Sequence, residues 1–120
     1  MNIEIKLDYA RIKQIEQAAR DAAADALEAV YTDLVSSQTM PFDTGDMQNN
    51  QTFVESTDTG AILITGSPQA RRLYYHPEYH FQRGKNANAG AYWLDPYING
   101  NKTEFVQAEF STAFKERSGL

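Results

Sequence analysis

From Asn2 to Leu7 polar and apolar side chains alternate strictly, with Ile3, Ile5 and Leu7 on one side and Asn2, Glu4 and Lys6 on the other. A period of two predicts a short half-buried strand over residues 2–7. The period changes at Asp8, a residue whose carboxylate suits a helix N-cap. From Tyr9 onward a helical stripe runs through Ile12, Ile15, Ala19, Ala22, Ala26, Val30 and Leu34, widened by Ala23, Leu27 and Tyr31, and predicts a helix over 9–36. Glu16 and Arg20 stand four apart in the order that favours an ion pair along a helix. Seven of the twelve residues from Ala18 to Ala29 are alanine, which bury little area but allow a sheet or second helix to approach closely. About 28 residues at 1.5 Å each span roughly 42 Å. A helix that long is expected to bend, break or project beyond its own domain.

Ser36 to Gln51 reads as a linker, with Pro41, Gly45 and the polar run Gln48-Asn49-Asn50-Gln51. Two strands follow, Thr52–Thr57 and Ala61–Thr65, joined at Asp58-Thr59-Gly60, where glycine is expected to supply a positive φ. They predict a hairpin over 52–65. Ala61-Ile62-Leu63-Ile64 is apolar on both faces, the pattern of a strand that is central or covered twice. A last helix is predicted over 102–117, capped by Asn101 with Glu104. Val106, Phe110, Ala113 and Phe114 form its apolar face, Lys115 and Arg117 suit its C-terminal dipole, and Gly119 ends it. These elements predict a single domain, 1–120, of the α+β class: a small antiparallel sheet packed against a long N-terminal helix and a C-terminal helix.

Between the hairpin and the last helix, residues 67–97 (SPQARRLYYHPEYHFQRGKNANAGAYWLDPY) show neither period. Seven of the fourteen aromatic residues, both histidines and the single tryptophan fall there. Tyr, Trp and Arg supply binding anchors, and loops that carry such groups often carry function. Charge sharpens this. The chain has a net charge of −5, yet residues 67–94 hold four bases against one acid, whereas residues 1–66 hold eleven acids against four bases. Complementary surfaces of this kind favour head-to-tail contact between copies. The overall acidity argues against wrapping nucleic acid, whose phosphates select for basic proteins.

The composition, 42% hydrophobic and 22% charged, is that of a soluble globular domain. No apolar run approaches eighteen residues, so no membrane association is expected. Zero cysteines and a start at Met1 without the pattern of a secretory leader fit synthesis in a reducing cytoplasm.

Candidate chemistry is sparse. Asp43-Thr44-Gly45 is the triplet of aspartic proteases, and a chain this short could use it only as a homodimer sharing a proton between two Asp43 carboxylates. Pro41 before it and Asp46 after it fit a structural turn better, with Asp43 accepting from its own downstream backbone and Gly45 left-handed. His76-Pro77-Glu78-Tyr79-His80 loosely echoes a zinc-protease helix, but Pro77 breaks the helix that would make the spacing meaningful, so no metal and no cofactor is expected. Gly84-Lys85-Asn86-Ala87-Asn88-Ala89-Gly90 lacks the context of a phosphate loop. Arg71 and Arg72 beside Tyr74 and Tyr75 could stack on single-stranded nucleic acid, without sequence-specific readout. None of these makes an enzyme.

The block Ala70-Arg71-Arg72-Leu73-Tyr74-Tyr75-His76-Pro77-Glu78-Tyr79, then Phe81, Lys85-Asn86-Ala87-Asn88-Ala89-Gly90 and Trp93, resembles small minor capsid proteins of tailed bacteriophages. Ser37-Gln38 followed by Pro41-Phe42-Asp43-Thr44-Gly45, after a long helix, is similar to that family and to the wider group of head–tail joining, or tail completion, proteins. Together these residues lie within a span from about Leu27 to Phe114. Asp46 departs from the small or apolar residue usual there. The resemblance implies a virion structural subunit forming a homo-oligomeric ring in the phage neck, in contact with portal, neck or tail proteins. It brings no catalytic residue. Arg71, Arg72, Tyr74, Tyr75, His76, Phe81, Asn88 and Trp93 are the expected subunit or neck contacts, and Pro41, Asp43, Thr44 and Gly45 the structural turn. Part of the acidic excess is a candidate lining for a DNA channel. The alternatives are the dimeric aspartic protease using Asp43 and the single-stranded nucleic-acid-binding module.

Overall fold

The computed structural model describes residues 1–120. Its longest element is α1, Tyr9–Ser36, with Asp8 at the N-cap accepting from the Arg11 amide at 3.0 Å. The helix keeps the predicted span. Its buried stripe is Ala18, Ala22, Ala26, Val30 and Leu34, one residue every four. The expected stripe holds from Ala22 onward and fails before it: Ile12 is exposed and Ile15 and Ala19 are only half-buried. The reason is that the first turns of α1 run past most of the domain. Arg20 turns from Glu16 to Gln17, donating to its side-chain oxygen at 2.8 Å, so the expected i,i+4 ion pair does not form. At the far end Gln38 adopts φ +56°, and its amide reaches back to the Val35 carbonyl, ending the helix without glycine.

The hairpin consists of β1, Thr52–Thr57, and β2, Gly60–Thr65, paired antiparallel from Thr52↔Thr65 to Thr57↔Gly60. Gly60 is therefore the first residue of β2 and has no positive φ; Asp58 and Thr59 alone make the turn. Both strands lie along α1. Two short helices form inside the aromatic–basic stretch that showed no helical period, α3 at Ala70–Tyr74 and, at its end, α4 at Asp95–Ile98, while α2, Asp46–Asn49, falls within the expected linker. The chain ends in α5, Thr103–Ser118, which packs antiparallel along α1.

The alanines of α1 allow α5 to lie close, and charges fix its register. Lys102 Nζ meets Asp33 at 2.7 Å, and Arg117 grips Asp25 through Nε at 2.5 Å and Nη2 at 3.0 Å, while Arg11 reaches the Ser118 carbonyl at 2.6 Å. Gly119 closes α5 in the left-handed conformation, as its sequence position predicts. The Asn101 capping box does not form. Lys102 holds the N-cap position without a side-chain cap bond, since an ammonium has no lone pair to accept from a helix amide, and it donates instead to Asp33.

Two expectations are overturned here. Residues 2–7 form no strand: they lie ahead of α1 without regular structure, and Ile3, Ile5 and Leu7 are exposed. A strand needs a neighbour to satisfy its ladder, and the only sheet contains β1 and β2 alone. For the same reason β2 is neither central nor covered twice. One of its faces lies toward α1, while Ile62 on the other is 50% exposed.

The core sits at the C-terminal end of α1, where Val30, Leu34, Met40, Trp93 and Tyr97 pack together with Leu63, Leu73 and Phe105 at its margin. The molecule measures 74 × 26 × 21 Å. Its radius of gyration, 18.7 Å, compares with about 14 Å for a compact domain of this length.

Candidate interface region

Helix α3 presents the basic pair. The Ser67 hydroxyl accepts from the Gln69 amide at 3.2 Å and starts the turn, Ala70 is buried, and Leu73 packs at the edge of the core. That fixes the helix on its Ala70–Leu73 side and leaves Arg71 and Arg72 exposed. Neither guanidinium has an ion pair or side-chain hydrogen bond within the chain, whereas Arg117 and Lys102 are both paired. Tyr75, four residues after Arg71 and on the same side of the turn, is 58% exposed.

Behind these cations lies an aromatic cluster. The Tyr74 ring stands edge-on to Trp93, Tyr75 and Tyr92 at centroid distances of 4.8, 5.1 and 5.6 Å. Its hydroxyl donates to Asp95 at the start of α4. Burial, and then the Asp95 carboxylate, push the Tyr74 hydroxyl well above the ordinary tyrosine range, so it remains a donor at any physiological pH. Tyr92 holds φ +55°, an uncommon conformation for a bulky residue. It is fixed there by its amide donating to the Tyr74 carbonyl at 3.1 Å. Tyr92 and Tyr75 lie 6.2 Å apart, and together they form a partly exposed tyrosine surface beside Arg71.

Two expected contact residues are engaged within their own chain, one of them in the interior. Trp93 is only 4% exposed and packs within the core, and its indole N–H has no acceptor. It anchors the stretch to α1 and is not available to a neighbour. Asn88 lies at the surface, but its side-chain amide donates to the Ser37 carbonyl at 3.0 Å and its backbone amide to Gln38 at 3.1 Å. Residues 86–90 thus fasten to the segment just after α1. Asn86 does the same from a buried position, donating to the Met40 carbonyl at 2.9 Å and to Gln48 Oε1 at 2.7 Å. Sequence reading missed Asn86, Tyr92 and Tyr97. Tyr97 donates to Asp33 at 2.6 Å, and Asp33 also receives Lys102. These two donors hold the Asp33 carboxyl below the ordinary range, Lys102 contributing most. Nothing in the local spacing of these residues announces partners up to 69 positions away.

His76 contacts Glu78 at 2.6 Å and stacks on Tyr79 with rings 4.7 Å apart. The imidazole lowers the Glu78 carboxyl. His80 does not join them on a helix, and no group of three potential metal-ligating His, Cys, Asp or Glu side chains assembles anywhere in the chain.

The Pro41–Gly45 turn faces the aromatic–basic stretch across an open cleft of about 470 Å³, lined by Pro41, Phe42 and Asp43 on one side and Leu73, His80 and Phe81 on the other. Gly45 takes φ +86° at the N-cap of α2, and an added Cβ would meet the Phe42 ring at 2.6 Å. Thr44, not Asp43, supplies the turn acceptor, receiving the Asp46 amide at 3.3 Å, while Asp43 is exposed. Two motifs 30 residues apart in sequence thus line one feature.

No helix is long and apolar enough to cross a membrane. No protein-family model, curated protein or solved structure matches this chain.

Proposed function

We propose that the chain is a virion structural subunit, a minor capsid or head–tail connector protein that forms a ring in the phage neck through protein–protein contacts. The carrying observation is its surface. The chain exposes 8351 Å², whereas a compact monomer of this mass exposes about 6,500 Å². The difference is roughly what one subunit gives to two standard protein–protein interfaces, at about 800 Å² per partner in each. The added surface includes Ile3, Ile5, Leu7, Tyr9, Ile12, Phe53, Ile62 and Tyr75, apolar groups that a subunit covers when it meets its neighbours.

Charge supplies direction. Arg71 and Arg72 are exposed cations without partners in their own chain, and Glu16, Glu28 and Glu55 are exposed acids without partners in theirs. A head-to-tail contact joins the two kinds of surface, and repetition of that contact about a rotation axis closes a ring. The residue resemblance to phage neck proteins fits this geometry. Asp21, Asp25 and Asp33 are already engaged by Arg117 and Lys102, so any acidic lining of a DNA channel falls to the remaining carboxylates.

Electron microscopy of particles assembled without this gene tests the reading. Filled heads and separate tails are the expected outcome; intact, joined particles would overturn it.

A further inference from the structure

We infer that residues 2–7 are a donor strand, completed by pairing with the open edge of β2 in a second copy of the chain. The inference deepens the reading of the chain as a self-assembling subunit and rests on it for the identity of the partner.

Two unfinished structures in one molecule point to each other. The first is the segment ahead of α1. Its alternation is that of a half-buried strand, yet Ile3 is 93% and Ile5 83% exposed. No residue from Met1 to Leu7 makes a backbone hydrogen bond. Asp8 breaks the helical path with φ −84° and ψ +89°, and no residue before it is helical. Six extended residues reach roughly 20 Å, and with the roughly 42 Å of α1 they account for most of the 74 Å length.

The second is β2. It has β1 on one side and nothing on the other, and none of its residues bonds through the backbone outside the hairpin. Edge strands are normally protected by charge, proline or a bulge. Gly60-Ala61-Ile62-Leu63-Ile64-Thr65 has none of these, whereas β1 at least carries Glu55. The face turned away from α1 combines Phe53, Ile62 and Ile64 with Glu55, which stands opposite Ile62; Phe53 is 47% and Ile62 50% exposed.

The parts match in length and pattern. Each has six residues, and an added strand whose Ile3, Ile5 and Leu7 lie on the Phe53–Ile62 face extends that apolar surface by three side chains. Main-chain bonds supply affinity and the alternation sets register, as in strand addition generally. Exchange between copies uses the projecting segment as a tie to the next subunit and closes the edge of β2 that no strand of its own chain pairs.

The chain has no cysteine, so engineered thiols report the contact cleanly. Ile5→Cys chains mixed with Ile62→Cys chains and oxidised should give a disulfide-linked heterodimer, at least tenfold more than Lys6→Cys with Ile62→Cys, where the thiols face opposite sides. Deleting residues 2–7 should weaken self-association at least tenfold while far-ultraviolet circular dichroism stays unchanged. A cross-link that forms only within single Ile5→Cys/Ile62→Cys chains overturns the exchange, as does the absence of any cross-link. Oligomers that survive the deletion also overturn it but leave the ring standing. Cross-linked copies from a chain that is absent from virions would overturn the neck assignment and leave strand exchange intact.

Discussion

The segment ahead of α1 and the stretch from Ser67 to Tyr97 exchange the roles their side chains advertise. The first is the more apolar in pattern and lies wholly in solvent. The second has the composition of a contact surface, yet Trp93, Tyr97, Asn86 and Ala89 are among the most buried residues of the chain. Residue type reports what a side chain is able to do; whether it does so inside the monomer depends on a partner within reach. Trp93 has Val30, Leu34 and Met40 beside it, brought there by the end of α1. Ile3 and Ile5 have no neighbouring strand.

If that contrast is right, substitutions within the aromatic–basic stretch divide sharply. Trp93→Ala should destabilise the chain by about 3–5 kcal/mol, as loss of a buried aromatic typically does, and a thermal melt reads this directly. Asn86→Ala should cost about 1–3 kcal/mol by leaving the Met40 carbonyl and Gln48 oxygen without their donor. A Tm unchanged by either variant would return these residues to the surface. Gly45→Ala should also cost about 1–3 kcal/mol, since it forces a side chain into a left-handed backbone position and against the Phe42 ring; denaturant unfolding measures it.

Smaller effects sharpen the picture at the α1–α5 seam. Asp33 has a folded-state pKa below its unfolded value because Lys102 and Tyr97 donate to it. Its contribution is therefore present above about pH 4 and lost as pH falls through the folded value. Asp33→Asn should reduce stability at pH 7 by about 1 kcal/mol and flatten the loss of stability with acid, as followed by melts from pH 7 to 2. An acid limb unchanged by the substitution would remove Asp33 from the seam. Arg71→Glu/Arg72→Glu should have the smallest effect on stability, within about 0.5 kcal/mol, since both side chains are exposed and unpaired.

The long elements were legible because each is set by local pattern. The span of α1, the Asp8 cap, the pairing of residues 52–57 with 60–65 and the Gly119 stop each act within a few residues and appear as read; the buried stripe of α1 does so only from Ala22 onward. Failures occur where a distant group decides. Ile3 and Ile5 stay exposed because no strand comes beside them, and Trp93 turns inward because Val30, Leu34 and Met40 meet it there. Arg71, Arg72 and Tyr75 keep the exposure expected of them, and Tyr92 joins them through a backbone conformation its neighbours in sequence do not foretell.

The central claim is that this exposed surface holds a subunit in the phage neck. Quantitative mass spectrometry of purified particles carrying either the unaltered chain or Arg71→Glu/Arg72→Glu tests it most directly. The account predicts a fixed small number of unaltered copies per particle and at least a tenfold loss of the folded double variant. Equal incorporation of the two, or no unaltered chain in the particles, would contradict it.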